Sequence, residues 1–589
     1  MPLIVQKFGG TSVADPQKVL AAARKAIRTQ QEGNQVVMVV SAMGHDTDKL
    51  IDLAHQINDR PPAREMDMLL STGEQVSVSL MAMAIHALGN KAISLTGAQI
   101  GIRTDSTHTK ARIRSISTER VRQLLNEGNI VIAAGFQGID ENYNITTLGR
   151  GGSDTTAVAL AAVLGADSCE IYTDVDGVYT TDPRLLPEAR RVKQISYDEM
   201  LELASLGAGV MHNRSIEFAK KFSVPIHVRS SFSDRRGTMI VSQPEALDQP
   251  VGGAALEKNE ARVTIDGVPD RPGASLAIFS KIAAKNIAVD MIVQNVGSSG
   301  KADISFTVIR DELATTLEAV AEAAAELGAN RVTSDDQVAK VSVVGLGMAK
   351  QTGVAQKMFR ALADAGVNIL MITTSEIKIS ALVARDQGQL ALRTVHKAFG
   401  LEKDPTGGST PPFTASQASN AVEVVARLQH MEGLTIDDLL LDDGQASVTI
   451  SSLPDQPGLA AQVFEEIAGG GVFVDMIVQS ISHNGQASLS FTVPRASLNK
   501  SVALAETLAK RLGCGPVTPC KQVAKLSVSG IGMRSHTGVA IRMFQSLSQA
   551  GINVDMINTS EVRVNVVVDG EHGQAGLKCL QEAFADVLG

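Results

Sequence analysis

Short apolar runs alternate with amphipathic stretches along the first 245 residues of the chain. Residues 3–6 predict a short strand, and Asp15 followed by Pro16 predicts the cap and first residue of a helix ending near Gln31. Residues 36–40 form an uninterrupted apolar run, which is typical of a strand buried on both faces of a sheet. The beginning of the chain therefore predicts strand, helix and strand in succession.

The same order returns later in this first module, where it predicts a strand over 129–134, a loop over 149–155, a helix over 156–164 and a strand over 168–172. Strands and helices that alternate at this spacing predict a mainly parallel sheet with helices on both faces. Ligands bind such sheets at the carboxyl ends of the strands, where the loops lie. We therefore look for chemistry in those loops.

The second half of the chain repeats itself at a fixed offset of 185 residues. Residues 337–376 reappear as 522–561 with 24 of 40 positions identical and no gap, and the duplication spans 261–400 and 446–585. Within each copy a weaker repeat has an offset of 80, which aligns Gly273 with Gly353 and Met291 with Met371. A gapless repeat of this length indicates duplicated folded units.

We predict six segments from these patterns. They are a catalytic domain at 1–245, unit 1 at 246–335, unit 2 at 336–401, a linker at 402–430, unit 3 at 431–520 and unit 4 at 521–589. The linker is predicted by its Pro, Gly, Ser and Thr content. Each unit is predicted to be a small α+β fold.

Composition excludes several classes of function. Lys plus Arg is 54 and Asp plus Glu is 63, so the net charge of −9 disfavours general nucleic-acid binding, which requires a basic surface. The cysteines (Cys169, Cys514, Cys520 and Cys579) lack metal-ligand spacing and predict reduced thiols. No apolar run reaches about 18 residues and no signal peptide opens the chain, so we expect a cytoplasmic protein without membrane contact.

The first candidate for chemistry is Lys7-Phe8-Gly9-Gly10-Thr11-Ser12, between the first strand and the first helix. Glycines let backbone N–H groups approach phosphate oxygens, and a lysine there can stabilise charge during phosphoryl transfer. The alternative interpretation is a plain turn with a surface lysine. The motif is neither a Walker loop nor a dinucleotide-binding turn.

Two further loops carry polar residues. In residues 148–155, Arg150 could hold a carboxylate, and Asp154 could orient Lys7 or a metal-bound phosphate; Asp154 could equally be a plain helix cap. Residues 172–184 are acidic and rich in turn residues. They could suggest a calcium loop, but the glutamate that closes an EF-hand ligand set is missing.

These three motifs, in this order, closely resemble the aspartate kinase branch of the amino-acid kinase family, and the resemblance covers almost the whole chain. It implies an amino-acid-kinase-type αβα sandwich with a mainly parallel sheet. It also implies that ATP, with Mg²⁺, phosphorylates the side-chain carboxylate of L-aspartate to 4-phospho-L-aspartate. That reaction is the first step toward lysine, threonine and methionine.

The resemblance assigns roles to individual residues. The catalytic residues would be Lys7 and Asp154. The ATP-binding residues would be Lys7, Phe8, Gly9, Gly10, Thr173, Asp174, Tyr179 and Arg184. The aspartate-binding residues would be Ser41, Thr47, Glu74, Arg150 and Ser153, with Glu74 facing the ammonium and Arg150 the α-carboxylate. No protein ligand is assigned to the metal.

The repeated units resemble ACT domains, ferredoxin-like βαββαβ modules that bind amino acids where two units pair. This resemblance implies lysine and threonine as effectors and a homodimer formed through the ACT units. In the first copy the effector contacts would be Asp270, Ala274, Asp290 and Gln294, with Asn368, Ile369, Ser375 and Glu376 from the paired unit. In the second copy they would be Asp455, Asp475, Gln479, Asn553, Val554, Ser560 and Glu561.

The chain departs from the family pattern in two respects. It carries two ACT pairs instead of one, and Gly209 stands where the family usually has a lysine that contacts ATP. Lys220 or Lys221 could supply that charge. The alternative functions are a non-catalytic amino-acid sensor on a lapsed kinase and a kinase for another substrate such as glutamate or carbamate.

Overall fold

The computed structural model of the protein describes residues 1–207, 210–296, 300–405, 434–481, 486–533 and 538–588. Gly209 and most of the predicted linker lie outside the described residues.

The first module is an alternating α/β domain. Its strands are β1 (Leu3–Phe8), β2 (Gln35–Val40), β3 (Ala92–Leu95), β4 (Ile102–Thr104), β5 (Ile113–Ile116), β6 (Ile130–Ala134), β7 (Gln137–Ile139), β8 (Ile145–Thr147), β9 (Ser168–Thr173), β10 (Gln194–Ser196), β11 (Ile226–Ser230) and β12 (Thr238–Val241). Its helices are α1 (Pro16–Gln31), α2 (Asp46–Ile57), α3 (Ala63–Ala87), α4 (Gly97–Ile100), α5 (Glu119–Asn126), α6 (Gly152–Leu164), α7 (Tyr197–Ser205) and α8 (Asn213–Phe222).

Eight of these strands form one sheet in the order β10-β12-β11-β9-β1-β2-β6-β3. All neighbours are parallel except β11 and β12, which confirms the predicted mainly parallel sheet. Phe8 lies opposite both Val40 and Tyr172. The carboxyl ends of three central strands therefore meet at one edge.

Helix α6 differs from its prediction, because it begins at Gly152 rather than at residue 156. Gly151 has φ of 74° and ends the preceding loop in the left-handed region, which glycine adopts without strain. Ser153 and Asp154 consequently lie in the first turn of a helix that is buried along its whole length. Both side chains are held by the core.

The repeated module contains the remaining elements. Its strands are β13 (Gly253–Pro269), β14 (Val289–Val296), β15 (Lys301–Ile309), β16 (Arg331–Val344), β17 (Met371–Thr374), β18 (Lys378–Ala384), β19 (Thr435–Pro454), β20 (Ile477–Ile481), β21 (Gln486–Pro494), β22 (Val517–Ile531), β23 (Met556–Thr559) and β24 (Arg563–Asp569). Its helices are α9 (Ala274–Ala284), α10 (Leu313–Leu327), α11 (Val354–Asp364), α12 (Gly388–Ala398), α13 (Leu459–Gly469), α14 (Leu498–Leu512), α15 (Gly538–Gln549) and α16 (Gly573–Ala583).

Long strands pass from one unit into the next. The first part of β13, residues 253–257, pairs with residues 340–344 of β16, which belong to unit 2. Strand β19 joins units 3 and 4 in the same way through residues 435–442. The residues that precede unit 1 in the sheet therefore pair with unit 2, and those that precede unit 3 pair with unit 4. The predicted boundary at residue 335 consequently does not separate two contiguous units.

The twelve strands form one sheet in the order β14-β15-β13-β16-β18-β17-β20-β21-β19-β22-β24-β23. Units 2 and 3 are joined by the antiparallel pair β17 and β20. The two ends of the sheet also approach each other, because β14 lies beside β23 and Gln294 Nε2 donates to the carbonyl oxygen of Val554 over 2.7 Å. Unit 1 thus pairs with unit 4, and unit 2 with unit 3, within one chain.

Four methionines lie in one buried cluster inside this arrangement. They are Met291, Met371, Met476 and Met556, one from each unit. The positions are equivalent under the offsets of 80 and 185, so each repeat contributes the same side chain to the common core. Methionine suits this position because its flexible thioether fills irregular space.

Helix α3 is the one described helix that is long and apolar enough to cross a membrane by length and composition. More than half of its most apolar window is buried inside the first module. Core helices of water-exposed domains pass the same test, so length and apolarity alone are weak support for a membrane span.

Candidate active site and effector pockets

The Nζ atom of Lys7 lies 2.6 Å from Oδ1 of Asp154. Lys7 is the second-last residue of β1, and Asp154 lies in the first turn of α6, so distant parts of the chain meet at the carboxyl edge of the sheet. Both side chains are largely buried, at 12% and 13% exposure. The pair keeps a cation beside the glycine loop.

The glycine loop is closely packed at Gly10. A Cβ on Gly10 would lie 2.9 Å from the carbonyl oxygens of Ala42 and Gly44, so a side chain there would displace backbone. Gly9 places its backbone close to the ammonium of Lys7. Phe8 stacks on Tyr172 with ring centroids 4.6 Å apart, which fixes the strand from which the loop leaves. The packing therefore leaves no room for a side chain at Gly10 and brings the loop backbone beside the Lys7 ammonium.

Glu74 lies on α3 and is 3% exposed. Its Oε1 accepts a hydrogen bond from the backbone N–H of Ala42 over 3.1 Å, while its Oε2 is buried without a hydrogen-bond partner among the described residues. Burial raises the pKa of Glu74 from 4.5 to about 7. An unpartnered buried carboxylate oxygen fits an incoming ammonium group.

Ser41 and Thr47 lie on the rim of the same site. Ser41 follows β2 directly, and its backbone N–H donates to the carbonyl oxygen of Phe8 over 3.1 Å. Thr47 lies in the first turn of α2, where orphan N–H groups favour negative charge. Both residues are half-buried.

Arg150 lies on the loop before α6 and is exposed. Next to it, Ser153 packs so closely on Gly135 that a Cβ there would lie 2.7 Å from its Oγ. The structure therefore places Arg150, Ser153 and Asp154 on one segment beside Lys7, with the guanidinium of Arg150 available to a carboxylate.

The predicted nucleotide residues follow β9. The hydroxyl of Thr173 donates to Asp174 over 3.0 Å, and the hydroxyl of Tyr179 donates to Asp176 over 2.6 Å. Arg184 is mostly exposed and pairs with Asp182 over 2.7 Å. Thr173 and Asp174 lie at the strand edge, whereas Tyr179 and Arg184 are held by neighbouring carboxylates further along the loop.

Lys220 was one candidate to supply the positive charge that Gly209 lacks. The Lys220 ammonium lies 2.7 Å from Asp198 Oδ1, so its charge is already paired. Because Gly209 itself lies outside the described residues, the consequence predicted for nucleotide affinity stays a prediction.

Sequence reasoning missed several residues near this edge. Ser12 and Ser231 share a hydrogen bond of 2.5 Å where β11 ends beside β9. Arg214 contacts the loop that carries Arg150, and His212 packs on Gly151. Ser12 belongs to the glycine motif, but no motif marked Ser231 or Arg214, since their position depends on how β11 and α8 pack.

Two candidate effector pockets repeat the same contacts. In the first, which lies between units 1 and 4 and is called the 1–4 pocket, Asn553 Nδ2 donates to Asp270 over 2.7 Å, and Gln294 Nε2 donates to the carbonyl oxygen of Val554. Ala274 lies at the start of α9 in this pocket.

In the 2–3 pocket, Asn368 Nδ2 donates to Asp455 over 2.6 Å, and Gln479 Nε2 donates to the carbonyl oxygen of Ile369 over 3.4 Å. The expectation that Asn368 and Ile369 would complete the pocket of Asp270 was wrong. The structure pairs them with Asp455 instead, because β17 hydrogen-bonds to β20.

The two pockets differ in chemistry. Ala274 is replaced by Leu459 in the 2–3 pocket, and Leu370 is replaced by Asp555 in the 1–4 pocket. Burial, together with the nearby carboxylates of Asp270 and Asp569, raises the pKa of Asp555 to about 7. The 1–4 pocket therefore carries one carboxylate more at this pair of positions, and the smaller Ala274 in place of leucine.

Other predicted effector residues line two further cavities. The first, between units 2 and 3, has a volume of about 230 Å³ and is lined by Ser375, Glu376 and Asp475; it is called the 2–3 cavity, as distinct from the 2–3 pocket. The second, between units 1 and 4, has a volume of about 110 Å³ and is lined by Asp290, Ser560 and Glu561; it is called the 1–4 cavity.

Two of these carboxylates are already paired with lysines. Lys340 lies 2.8 Å from Asp290 and also contacts Glu260, while Lys525 pairs with Asp475. The negative charges of Asp290 and Asp475 are thus already compensated by lysines. A ligand that binds either carboxylate would contact an existing ion pair.

Comparison with known proteins agrees with this geometry. The amino acid kinase family matches residues 2–230, and the ACT domain matches 341–399 and 526–584. An aspartate kinase of Pseudomonas putida is 51% identical over 404 residues, 68% of this chain and 98% of that protein.

Solved structures are similar as well. The aspartate kinase from Synechocystis is 41% identical with a TM-score of 0.52, covering 99% of this chain and 98% of that chain. Aspartokinase III of E. coli, in complex with aspartate and ADP, is 26% identical with a TM-score of 0.57 and covers 67% of this chain and 99% of its own.

The parallel sheet, the glycine loop and the Lys7–Asp154 pair define a kinase of the amino-acid kinase class. Its repeated units are ACT domains. The chain belongs to the aspartate kinase family, as its resemblance to that family predicted.

Proposed function

We propose that the protein transfers the γ-phosphoryl group of ATP to the side-chain carboxylate of L-aspartate, giving 4-phospho-L-aspartate. The reaction would take place in the cytoplasm and would be the first step of lysine, threonine and methionine biosynthesis. The observation that carries the proposal is the buried Lys7–Asp154 ion pair beside the glycine loop. E. coli aspartokinase III, a relative, has been solved with aspartate and ADP.

The reaction requires little acid–base chemistry, since the attacking carboxylate is already ionised at neutral pH. Catalysis would come from positioning the reactants and from neutralising charge on the transferring phosphoryl group. Lys7 is suited to that neutralisation, and Gly9 and Gly10 would hold the phosphates through backbone N–H groups. Asp154 would keep the Lys7 ammonium aimed at the phosphates.

Aspartate would be held at its two other charged groups. Its ammonium would meet the unpartnered Oε2 of Glu74, and its α-carboxylate would meet the exposed guanidinium of Arg150. Thr47 and Ser153 would complete the substrate site from opposite sides.

Mg²⁺ would be held mainly by the phosphates. Among the described residues no group of three or more His, Cys, Asp or Glu side chains could hold a metal. Mg²⁺ in kinases commonly uses one or two carboxylates plus phosphate oxygens, and Asp154, which pairs with Lys7 beside the glycine loop, is a candidate carboxylate. When bound, the ion neutralises phosphate charge.

Acyl-phosphate trapping tests the proposal. Purified protein with Mg-ATP, L-aspartate and hydroxylamine should form aspartyl hydroxamate, and L-glutamate in its place should form little. Hydroxamate only with glutamate would indicate another carboxylate kinase. No hydroxamate from folded protein that still binds lysine or threonine would favour the non-catalytic sensor.

Lysine and threonine as feedback inhibitors form part of the proposal. The support is the pair of pockets in which an aspartate of one unit accepts a hydrogen bond from an asparagine of the paired unit. E. coli aspartokinase III has been solved with lysine bound. An effector inhibits only if it binds the inactive arrangement more tightly than the active one.

Gln294→Ala and Gln479→Ala test the two effector pockets separately. Each change removes an amide that spans its pocket, so the inhibitor concentration for half-inhibition should rise about fivefold or more. Inhibition curves with lysine, threonine and both together, each normalised to the variant's own uninhibited rate, provide the measurement. Unchanged curves for both variants would contradict the assignment.

A homodimer also remains a proposal, but not through unpaired ACT faces, since the units pair within one chain. Val76, Leu80 and Met83 are exposed on one side of α3 and offer an alternative apolar contact for a second copy. Sedimentation of the wild type against Leu80→Glu tests this, and an unchanged mass would contradict it.

A further inference from the structure

Arg214 joins two backbone segments that flank the substrate loop. Its guanidinium donates to the carbonyl oxygen of Leu148 over 2.5 Å and to that of Ala111 over 2.6 Å. Leu148 stands two residues before Arg150, and Ala111 is itself bonded through its N–H to the carbonyl oxygen of Thr147. The guanidinium therefore holds the loop base in one place.

The start of α8 packs against the same loop. His212 caps this helix, and a Cβ on Gly151 would lie 2.4 Å from the Cβ of His212. A shift at the start of α8 would therefore move the segment that carries Arg150, Ser153 and Asp154.

The regulatory units contribute to holding this helix start, together with Ser205 of α7, to which Asn213 Nδ2 also donates. Asn213, the first residue of α8, donates through Nδ2 to Glu561 of unit 4 over 3.0 Å. The backbone N–H of Glu561 donates to Glu202 of α7 over 2.9 Å, and Glu202 pairs with Lys378 of unit 2 over 2.9 Å. Glu202 and Lys378 are almost completely buried, so their ion pair is shielded from bulk solvent.

The duplication makes this junction asymmetric. Glu376 is the counterpart of Glu561 at the offset of 185, but its carboxylate pairs with Arg563 of unit 4. Within the described part of the chain, Glu376 has no recorded hydrogen bond to the first module. Only Glu561 both lines an effector cavity and contacts the helix under the substrate loop.

We propose that Arg214 is a positioning residue for the Arg150 loop, and that the 1–4 cavity controls catalysis through Glu561 and Asn213. An effector whose ammonium binds Glu561 competes with Asn213 for that carboxylate. Releasing Asn213 loosens the start of α8, and Arg214 then no longer holds the loop in the geometry that binds aspartate. The inference rests on the proposed function and adds its route of regulation.

Arg214 is tested first in the full chain. Arg214→Gln should raise the KM for aspartate about 10- to 100-fold and change the KM for ATP much less, because Arg214 bonds to the backbone two residues before Arg150, whereas Asp154 is also held by its ion pair with Lys7. Arg214→Lys should recover part of the loss, since an ammonium can still donate to a carbonyl. Equal losses in both KM values, or no change in either, would overturn the positioning role.

The regulatory route is tested with a matched pair, Glu561→Gln and Glu376→Gln. Inhibition is scored as the rise in aspartate KM that lysine or threonine causes in each variant. Glu561→Gln should reduce that rise about 3- to 10-fold more than Glu376→Gln does, and Asn213→Ala should mimic the inhibited KM without effector. Equal effects of the two glutamate variants would overturn the asymmetry.

Calorimetric titration of aspartate into wild type and Arg214→Gln, with melting curves as a folding control, separates the two proposals. If the wild type forms no hydroxamate, the proposed function fails, yet weaker aspartate binding by Arg214→Gln would still support the positioning role. Unchanged aspartate affinity in folded Arg214→Gln overturns that role whatever the hydroxamate result.

Discussion

Lys7→Ala should lower turnover by about 10²- to 10³-fold or more, because it removes the cation that lies against the glycine loop at the end of β1. The substitution also leaves Asp154 buried without its ion partner. Hydroxamate formation at saturating ATP and aspartate measures the loss. Lysine and threonine binding should be unchanged, since the ACT units lie outside this edge of the sheet.

Lys18→Ala is the matched control, since Lys18 is another N-terminal lysine but lies half-exposed on α1 beside Asp15. It should retain wild-type turnover. Loss of effector binding together with activity in Lys7→Ala would indicate misfolding, and full activity would remove Lys7 from the mechanism.

Glu74→Gln should have opposite effects on activity and stability. It removes a charged partner for the aspartate ammonium, so the KM for aspartate should rise about 10- to 100-fold at pH 8. Burial raises the pKa of Glu74 to about 7, above its ordinary value of 4.5, so ionisation of this carboxyl destabilises the folded protein.

The sign of the pH dependence follows from that shift. The contribution of Glu74 to stability is complete below about pH 4.5 and is lost as the pH rises through 7. Glu74→Gln should therefore be more stable than wild type at pH 8, by up to about 3 kcal/mol, and similar to it at pH 4.5. Melting temperatures of the ligand-free proteins at the two pH values provide the measurement.

Glu65→Gln, on the exposed first turn of the same helix, is the control and should shift neither the KM nor the pH dependence. Equal melting shifts for Glu74→Gln at both pH values would contradict the buried charge. For the wild type, kcat/KM for aspartate should rise with pH through about 7, since the ammonium binds the ionised carboxylate.

The sequence was sufficient to predict which edge of the sheet carries the candidate catalytic residues. Glycines and polar residues immediately after apolar strands predict that edge, because the carboxyl ends of parallel strands are neighbours. Lys7 and Asp154 were both selected in this way, and the structure brings them together. Arg214 and His212 escaped because they reach the loop through the packing of α8.

The pairing of the ACT units shows where sequence reasoning stopped. The repeat established that four related units exist, because an offset without gaps identifies equivalent positions such as Asn368 and Asn553. It could not show which unit faces which, since equivalent residues have the same local propensity and the same apolar pattern in every copy.

The chain's own residues thus determined the strands, the glycine loop, the acidic turns and the duplication, all of which depend on local spacing. Tertiary structure alone decided that β13 and β19 run through two units each, that β17 pairs with β20, and that unit 1 meets unit 4. Those choices depend on which strand edges and buried faces complement each other across long sequence separations. No local pattern encodes that complementarity.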